Sequence, residues 1–220
     1  MTNGAMLKGL LAEPGVEEIC ELRSSTVGFL ALHGGNQDRE TDVIARLAAD
    51  GCDASLYGVI QPPTLRWHLP SYQYDPAQSP HLARFLDHVD VVISVHGYGR
   101  DAWWWDWVPP RETWPEDRAH VWERFWYPTS FLLGGRNRSL AAIVAGSLRA
   151  RLPGHPVVDD LDRIPRGARG IDPRNPVNLT RGGGCQVEIP PGPRGLHGDA
   201  ANIEDVADAL AAAAQAVRVA

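Results

Sequence analysis

The chain has 220 residues, with 27 acidic against 21 basic side chains and a formal net charge of −6. That length holds one domain with a sizeable core, and the negative balance argues against a general nucleic-acid binder. No apolar run is long enough to span a bilayer, and three scattered cysteines, Cys20, Cys52 and Cys185, read as reduced thiols of a cytoplasmic protein.

Met6, Leu7, Leu10 and Leu11 form a short apolar patch that Lys8, Glu13 and Pro14 interrupt, so no signal peptide is expected. Residues 15–25 read as a short helix. The run Val27-Gly-Phe-Leu-Ala-Leu is nearly continuous in apolar residues, as in a strand buried on both faces. It ends abruptly in His33-Gly34-Gly35, with Asp38 three residues on, and a helical pattern starts at Thr41. Val43, Ile44, Leu47 and Ala48 mark that helix's apolar face, and Gly51 stands at its expected stop. A second strand at about 53–60 leads into a proline-rich connection with Trp67, His68 and Ser71, then a helix over about 79–87.

Val89-Asp-Val-Val-Ile-Ser-Val-His96-Gly97 repeats the opening pattern, a buried strand that finishes in His-Gly. Ligands of open α/β sheets gather beyond the carboxyl ends of the strands, so two such strands place two imidazoles on one rim. Residues 99–128 hold seven of the eight tryptophans and read as an insertion near that rim, suited to a lid or a dimer contact. A strand near 129–133 precedes Gly134-Gly135 and a helix striped with Leu140, Ile143, Val144 and Leu148. Val157 and Val158 mark a short strand, and 159–183 is loop-like. Cys185-Gln186-Val187-Glu188-Ile189 alternates, with Gln186 and Glu188 on the polar face. An alanine-rich helix from about 202, capped by Asn202, closes the chain. Strands alternating with helices imply a single αβα sandwich with a mainly parallel or mixed sheet.

His33, Asp38 and His96 together offer two nitrogens and one carboxylate, the ligand set of a catalytic zinc that keeps a position open for water. Manganese, iron or cobalt suits the same donors. Glu188 supplies the general base that such a centre requires. The His-Gly-Gly run also suits an esterase oxyanion loop, but no Gly-x-Ser-x-Gly nucleophile elbow accompanies it. Arg181 and Arg194 flank the Glu188 strand and Arg136 follows Gly134-Gly135, so these three are the candidate cations for a substrate carboxylate.

Several of these features, in order, resemble the poly-γ-glutamate hydrolases of phage type, a family that includes proteins labelled phage-related replication proteins. They are Glu21-Leu-Arg-Ser-Ser, Leu32-His33-Gly34-Gly35 with an acid at 38, His68-Leu-Pro-Ser71, Ser94-Val-His96-Gly97, Asn175-Pro-Val-Asn178 and Gly184-Cys-Gln186-Val-Glu188-Ile. The resemblance implies a zinc carboxypeptidase-like fold and hydrolysis of γ-glutamyl amides. It matches His33, Asp38 and His96 to the zinc ligands, Glu188 to the catalytic carboxylate and Asn178 to the Asn of a substrate-binding Asn-Arg pair; His68, in its own segment, is a candidate to contact the substrate or to support the site. The chain departs from the family in carrying Asp38 where Glu is usual, in spacing Asn178 from Arg181, and in its Trp-rich segment.

The sequence therefore reads as a zinc-dependent hydrolase of γ-glutamyl or similar carboxylate-bearing amides, the substrate being a small molecule or an anionic polymer. Two alternatives stand beside this: an N-acyl amino acid amidohydrolase, and a catalytically silent protein that binds a partner through the Trp-rich segment. Neither nucleic acid nor membrane is an expected partner, and that segment is the candidate surface for self-association.

Overall fold

A computed structural model of the chain describes residues 6–99, 129–196 and 202–219. Apart from Gly99, the Trp-rich segment at 99–128 lies outside the described residues. The strands are β1 (Glu17–Glu21), β2 (Val27–Gly35), β3 (Ser55–Gln61), β4 (Val91–Gly97), β5 (Phe131–Gly134), β6 (Val157–Val158) and β7 (Gly184–Ile189). They form one mixed sheet in the order β1-β3-β2-β4-β7-β5-β6. The central four, β3, β2, β4 and β7, run parallel; β1 pairs antiparallel with β3, and β5 antiparallel with β7.

The helices divide between the two faces. On one face, α2 (Thr41–Cys52), α4 (Arg138–Arg151) and α5 (Ile203–Val219) pack against Phe29, Ile93, Val95 and Val187 of the sheet. On the other face, α1 (Met6–Leu11) and α3 (Pro80–His88) close a smaller core around Leu30, Leu32, Tyr57, Val59 and Val92. Capping residues set the helix starts. The Ser79 hydroxyl accepts from the Leu82 amide at 2.9 Å ahead of Pro80, and Asn202 accepts from the Asp205 amide at 2.9 Å.

Two expectations are corrected. Residues 17–21, inside the span expected to be helical, form the edge strand β1. Ile19 packs on the larger core and Cys20 on the smaller, a two-faced division that follows the strand period of two. The Glu18 carboxylate on this strand accepts hydrogen bonds from Tyr57 and Ser79, which ties the edge to α3. Helix α2 does not stop at Gly51. It runs to Cys52 and ends at Asp53 in the left-handed conformation (φ 51°), and its buried face is Ile44, Ala45, Ala48 and Ala49, with Val43 and Leu47 exposed.

A register shift in β2 matters most for function. Between Ala31 and Gly34 the strand holds one more residue than its partner β3, where Gly58 and Ile60 are the matching positions. Strict alternation would send His33 to the face of Phe29 and Ala31. The bulge instead turns its ring toward Leu69 and Tyr74, which belong to the smaller core. On β4, Val92, Ser94 and His96 alternate onto that same face, as do Gln186 and Glu188 on β7. The three strands run parallel, so His33, His96 and Glu188 reach one rim of the sheet.

Candidate active site

His33 is 4% exposed, Asp38 8%, His96 2% and Glu188 8%. The turn after β2 explains how Asp38 returns to its own strand. Gly35 has φ 66°, and a Cβ on it would sit 2.2 Å from the Gln61 carbonyl oxygen, so the backbone path requires glycine there. The Asp38 amide then donates to the His33 carbonyl at 2.8 Å, and the Asp38 carbonyl accepts from the Thr41 hydroxyl at 2.7 Å as α2 begins. This compact turn lets the shorter acid, Asp in place of Glu, reach the histidines.

Three donor atoms meet at the rim. Nδ1 of His33 lies 3.2 Å from Nδ1 of His96 and 3.2 Å from Oδ2 of Asp38, and Asp38 Oδ2 lies 3.7 Å from Nδ1 of His96. His33 Nε2 is 2.9 Å from the Leu69 carbonyl, which can only accept, so Nε2 carries the proton and Nδ1 is the ring nitrogen turned to the cluster. His96 Nε2 is 3.0 Å from the Ser94 hydroxyl, which turns its Nδ1 to the same point.

Charge follows from this packing. Burial disfavours imidazolium at His33, but the Asp38 charge, the hydrogen bond to it and the Leu69 carbonyl together raise its pKa. Burial likewise opposes ionisation of Asp38, and His33 and His96 outweigh it, holding the carboxyl well below the usual range. Burial and the neighbouring His33 charge lower His96. A tetrahedral ion with bonds of about 2.0–2.1 Å holds its ligand atoms roughly 3.3 Å apart, so the observed spacings fit a small divalent cation. His33, Asp38 and His96 form a group able to hold a metal ion.

Glu188 faces the cluster across a cavity of about 450 Å³ that all four residues line. Burial and the Asp38 charge push its pKa up to about 7, against the lowering effect of the Gln186 hydrogen bond. The Gln186 amide donates to Glu188 Oε1 at 2.8 Å and to the Ala168 carbonyl at 3.3 Å, and its oxygen accepts from Asn175 at 3.2 Å. This one side chain joins Glu188 to the loop forming the far wall, where Arg166, Gly167, Gly170, Asp172 and Asn175 stand. His68, Pro70, Ser71 and Tyr72 make the third side. Their segment is anchored by Gln61, whose amide bonds both the Trp67 carbonyl (2.9 Å) and the Trp67 amide (2.7 Å), and by Tyr74, whose hydroxyl donates to the Leu32 carbonyl at 2.6 Å. The rings of His68 and His33 meet edge-on at 5.3 Å.

The structure brings together His33, Asp38, His68, His96 and Glu188, but not the other four candidates. Arg181 and Arg136, expected as substrate cations, do not line the cavity. Both lie at the start of β7, where Arg181 pairs with Asp90 at 3.3 Å and the Arg136 amide donates to Asn178. Four residues of strand, about 13 Å, separate that end from Glu188. Arg194 does not line it either: it is 1% exposed, and its guanidinium donates to the Arg39, Tyr98 and Gly99 carbonyls at 3.0, 2.7 and 2.7 Å. Asn178 does not line the cavity. Its amide donates to the Gly170 and Asp172 carbonyls and shapes the wall from behind. Among the described residues, Arg166 is the arginine that lines the cavity. It sits in a Pro/Gly/Arg-rich loop, and only the fold singles it out from its neighbours.

Comparison with known proteins agrees with the fold. Residues 12–103 match the family model described as poly-gamma-glutamate hydrolase. Over that segment the chain resembles the poly-gamma-glutamate hydrolase family. The segment contains His33, Asp38, His68 and His96, whereas Glu188 lies beyond it. The fold is similar to that of a bacteriophage poly-gamma-glutamate hydrolase, with a TM-score of 0.70, 19% identity, and coverage of 97% of this chain and 95% of that one. It is also similar to YNDL in an apo, zinc-free form, with a TM-score of 0.61, 18% identity, and coverage of 97% and 92%. No curated protein matches the chain at a comparable level. No helix among the described residues is long and apolar enough to cross a membrane.

Proposed function

We propose that this chain is a zinc-dependent amide hydrolase of the poly-gamma-glutamate hydrolase kind, acting on γ-glutamyl or similar carboxylate-bearing amides. The observation that carries the proposal is the convergence of His33 Nδ1, His96 Nδ1 and Asp38 Oδ2 within 3.2–3.7 Å, beside a buried carboxyl. These three side chains would hold the ion. Bound there, zinc supplies a Lewis acid that polarises a carbonyl and acidifies a water.

The remaining roles fall to side chains of the chain itself. Glu188 takes the proton of the attacking water and delivers it to the departing amine nitrogen. A carboxyl with its pKa near 7 is suited to both halves of that transfer. Gln186 occupies Glu188 Oε1, leaving Oε2 without a hydrogen bond among the described residues and directed to this task. Arg166 makes no ion pair with a described residue and faces the same cavity, so it is the group assigned to a substrate carboxylate, by the bidentate contact guanidinium favours. His68 stands close enough to contact the substrate.

The test is Glu188→Gln assayed on a γ-linked glutamyl amide with zinc supplied. The variant should keep one zinc per chain and lose turnover by about 10²–10⁴-fold. Turnover near that of the parent would remove Glu188 from the mechanism.

A further inference from the structure

On each of the adjacent strands β4 and β7, the residue two places before the site group turns to the same face and bonds to it. Ser94 and Gln186 are register partners, as are His96 and Glu188. The Ser94 hydroxyl lies 3.0 Å from His96 Nε2, and the Gln186 amide donates to Glu188 Oε1 at 2.8 Å. A carboxamide, unlike a hydroxyl, has a separate donor end and acceptor end. Gln186 therefore serves Glu188 only while its nitrogen points there.

The neighbouring loop fixes that choice. Asn175 precedes the short helical turn Pro176–Asn178, and its side-chain oxygen accepts from the Val177 amide at 3.2 Å. A backbone N–H can only donate, so the Asn175 nitrogen is the end left for Gln186, whose oxygen accepts from it at 3.2 Å. The Gln186 nitrogen is thereby turned the other way, to Glu188 and to the Ala168 carbonyl at 3.3 Å. That carbonyl can only accept and enforces the same orientation from a second side. Asn175 and Gln186 are each 3% exposed. Exchanging the ends of either amide would set buried donors against donors and acceptors against acceptors.

We propose that Asn175 is a positioning residue for the reaction: acting through Gln186, it holds the Glu188 carboxyl in the orientation that leaves Oε2 free for proton transfer. The inference rests on the role assigned to Glu188 above and deepens it. Asn175 also lines the cavity, so direct contact with substrate is the competing role.

The test is a double-mutant cycle of Asn175→Ser and Gln186→Met, assayed with the zinc-loaded protein on a γ-linked glutamyl amide. Serine keeps an oxygen for the Val177 amide but is too short to reach Gln186, and methionine keeps glutamine's length without its polar ends. Gln186→Met should lower kcat by about 10–100-fold, the scale of one hydrogen bond to a charged group. Asn175→Ser should lower it by about tenfold on the same scale, with KM within about twofold of the parent's. The double variant should lose no more than Gln186→Met alone. Losses that multiply overturn the proposal, and so does a raised KM with kcat intact in Asn175→Ser, which would make Asn175 a substrate contact. A readout without turnover uses the metal-free protein. The Gln186 side-chain N–H signals in heteronuclear NMR should exchange slowly with water, and at least about fivefold faster in Asn175→Ser, the scale of one neutral hydrogen bond. Equal exchange overturns the proposal. Parental turnover by Glu188→Gln overturns the functional reading and the proposal together, whereas lost turnover there with multiplying losses in the cycle overturns the proposal alone.

Discussion

Replacing Arg194 by leucine removes the guanidinium that joins three segments behind the cluster. Its donors reach the Arg39 carbonyl in the turn after Asp38 and the Tyr98 and Gly99 carbonyls beyond His96. The side chain lies against Gly97, where an added Cβ would come within 2.5 Å of it. Burial lowers the Arg194 pKa, opposed by the charges of Asp38 and Glu188, so the residue also balances two buried acids. In the leucine variant three carbonyls lose charged donors, each worth roughly 1–3 kcal/mol when left buried and unpaired. Relaxation makes such losses less than additive, and breaking a buried charged network typically removes about 3–5 kcal/mol. Against a total stability of about 5–15 kcal/mol, that is a large share. Urea unfolding of the metal-free protein, followed by circular dichroism, should show the midpoint falling by roughly 2 M for a slope of about 2 kcal/mol/M. Arg194→Lys, which keeps the charge but not the fork, should fall between the two. A loss under about 1 kcal/mol for the leucine variant would refute the reasoning and return Arg194 to the list of available cations.

Tyr74→Phe leaves the Leu32 carbonyl without its buried donor, so stability should drop by about 1–2 kcal/mol and zinc affinity by about tenfold through the loosened bulge; unfolding curves and calorimetric titration read both. Gly170→Ala combines φ 61° with a Cβ placed 2.4 Å from the Gln186 oxygen. It should therefore displace Gln186 and reduce kcat by at least tenfold, in line with lost positioning of a catalytic group, and an unchanged kcat would contradict the coupling drawn here. Burial pushes the Cys185 thiol up to about 12. Thiolate is the reactive form, so iodoacetamide at pH 8 should leave Cys185 unmodified in the native protein and label it after denaturation, as mass spectrometry of digests would show.

Much of the frame was legible from particular stretches. The two runs ending in His33-Gly34 and His96-Gly97 announced buried parallel strands and a shared rim, because continuous apolar sequence followed by a turn has few other readings. Gln186 and Glu188 were visible as the polar face of β7. The β-bulge was not, since nothing in Ala31-Leu32-His33 distinguishes a bulged from a regular strand, although the bulge decides which face His33 occupies. The arginines misled for a related reason. Arg181 is only seven residues from Glu188 in sequence, but the intervening strand carries it to the opposite end of the sheet. Arg194 has the composition of a loop cation and is consumed by backbone carbonyls. Arg166 is set in the cavity wall by contacts of Gln186, Asn175 and Asn178 that depend on the folded chain.

The most direct test of the central claim is calorimetric titration of zinc into the metal-free protein and into its His96→Ala variant. One ion per chain should bind the parent, and affinity should fall by at least about 100-fold in the variant, which lacks one of three ligands. Absence of binding by the parent, or equal binding by both, would show that His33, Asp38 and His96 meet at the rim for some purpose other than holding a metal.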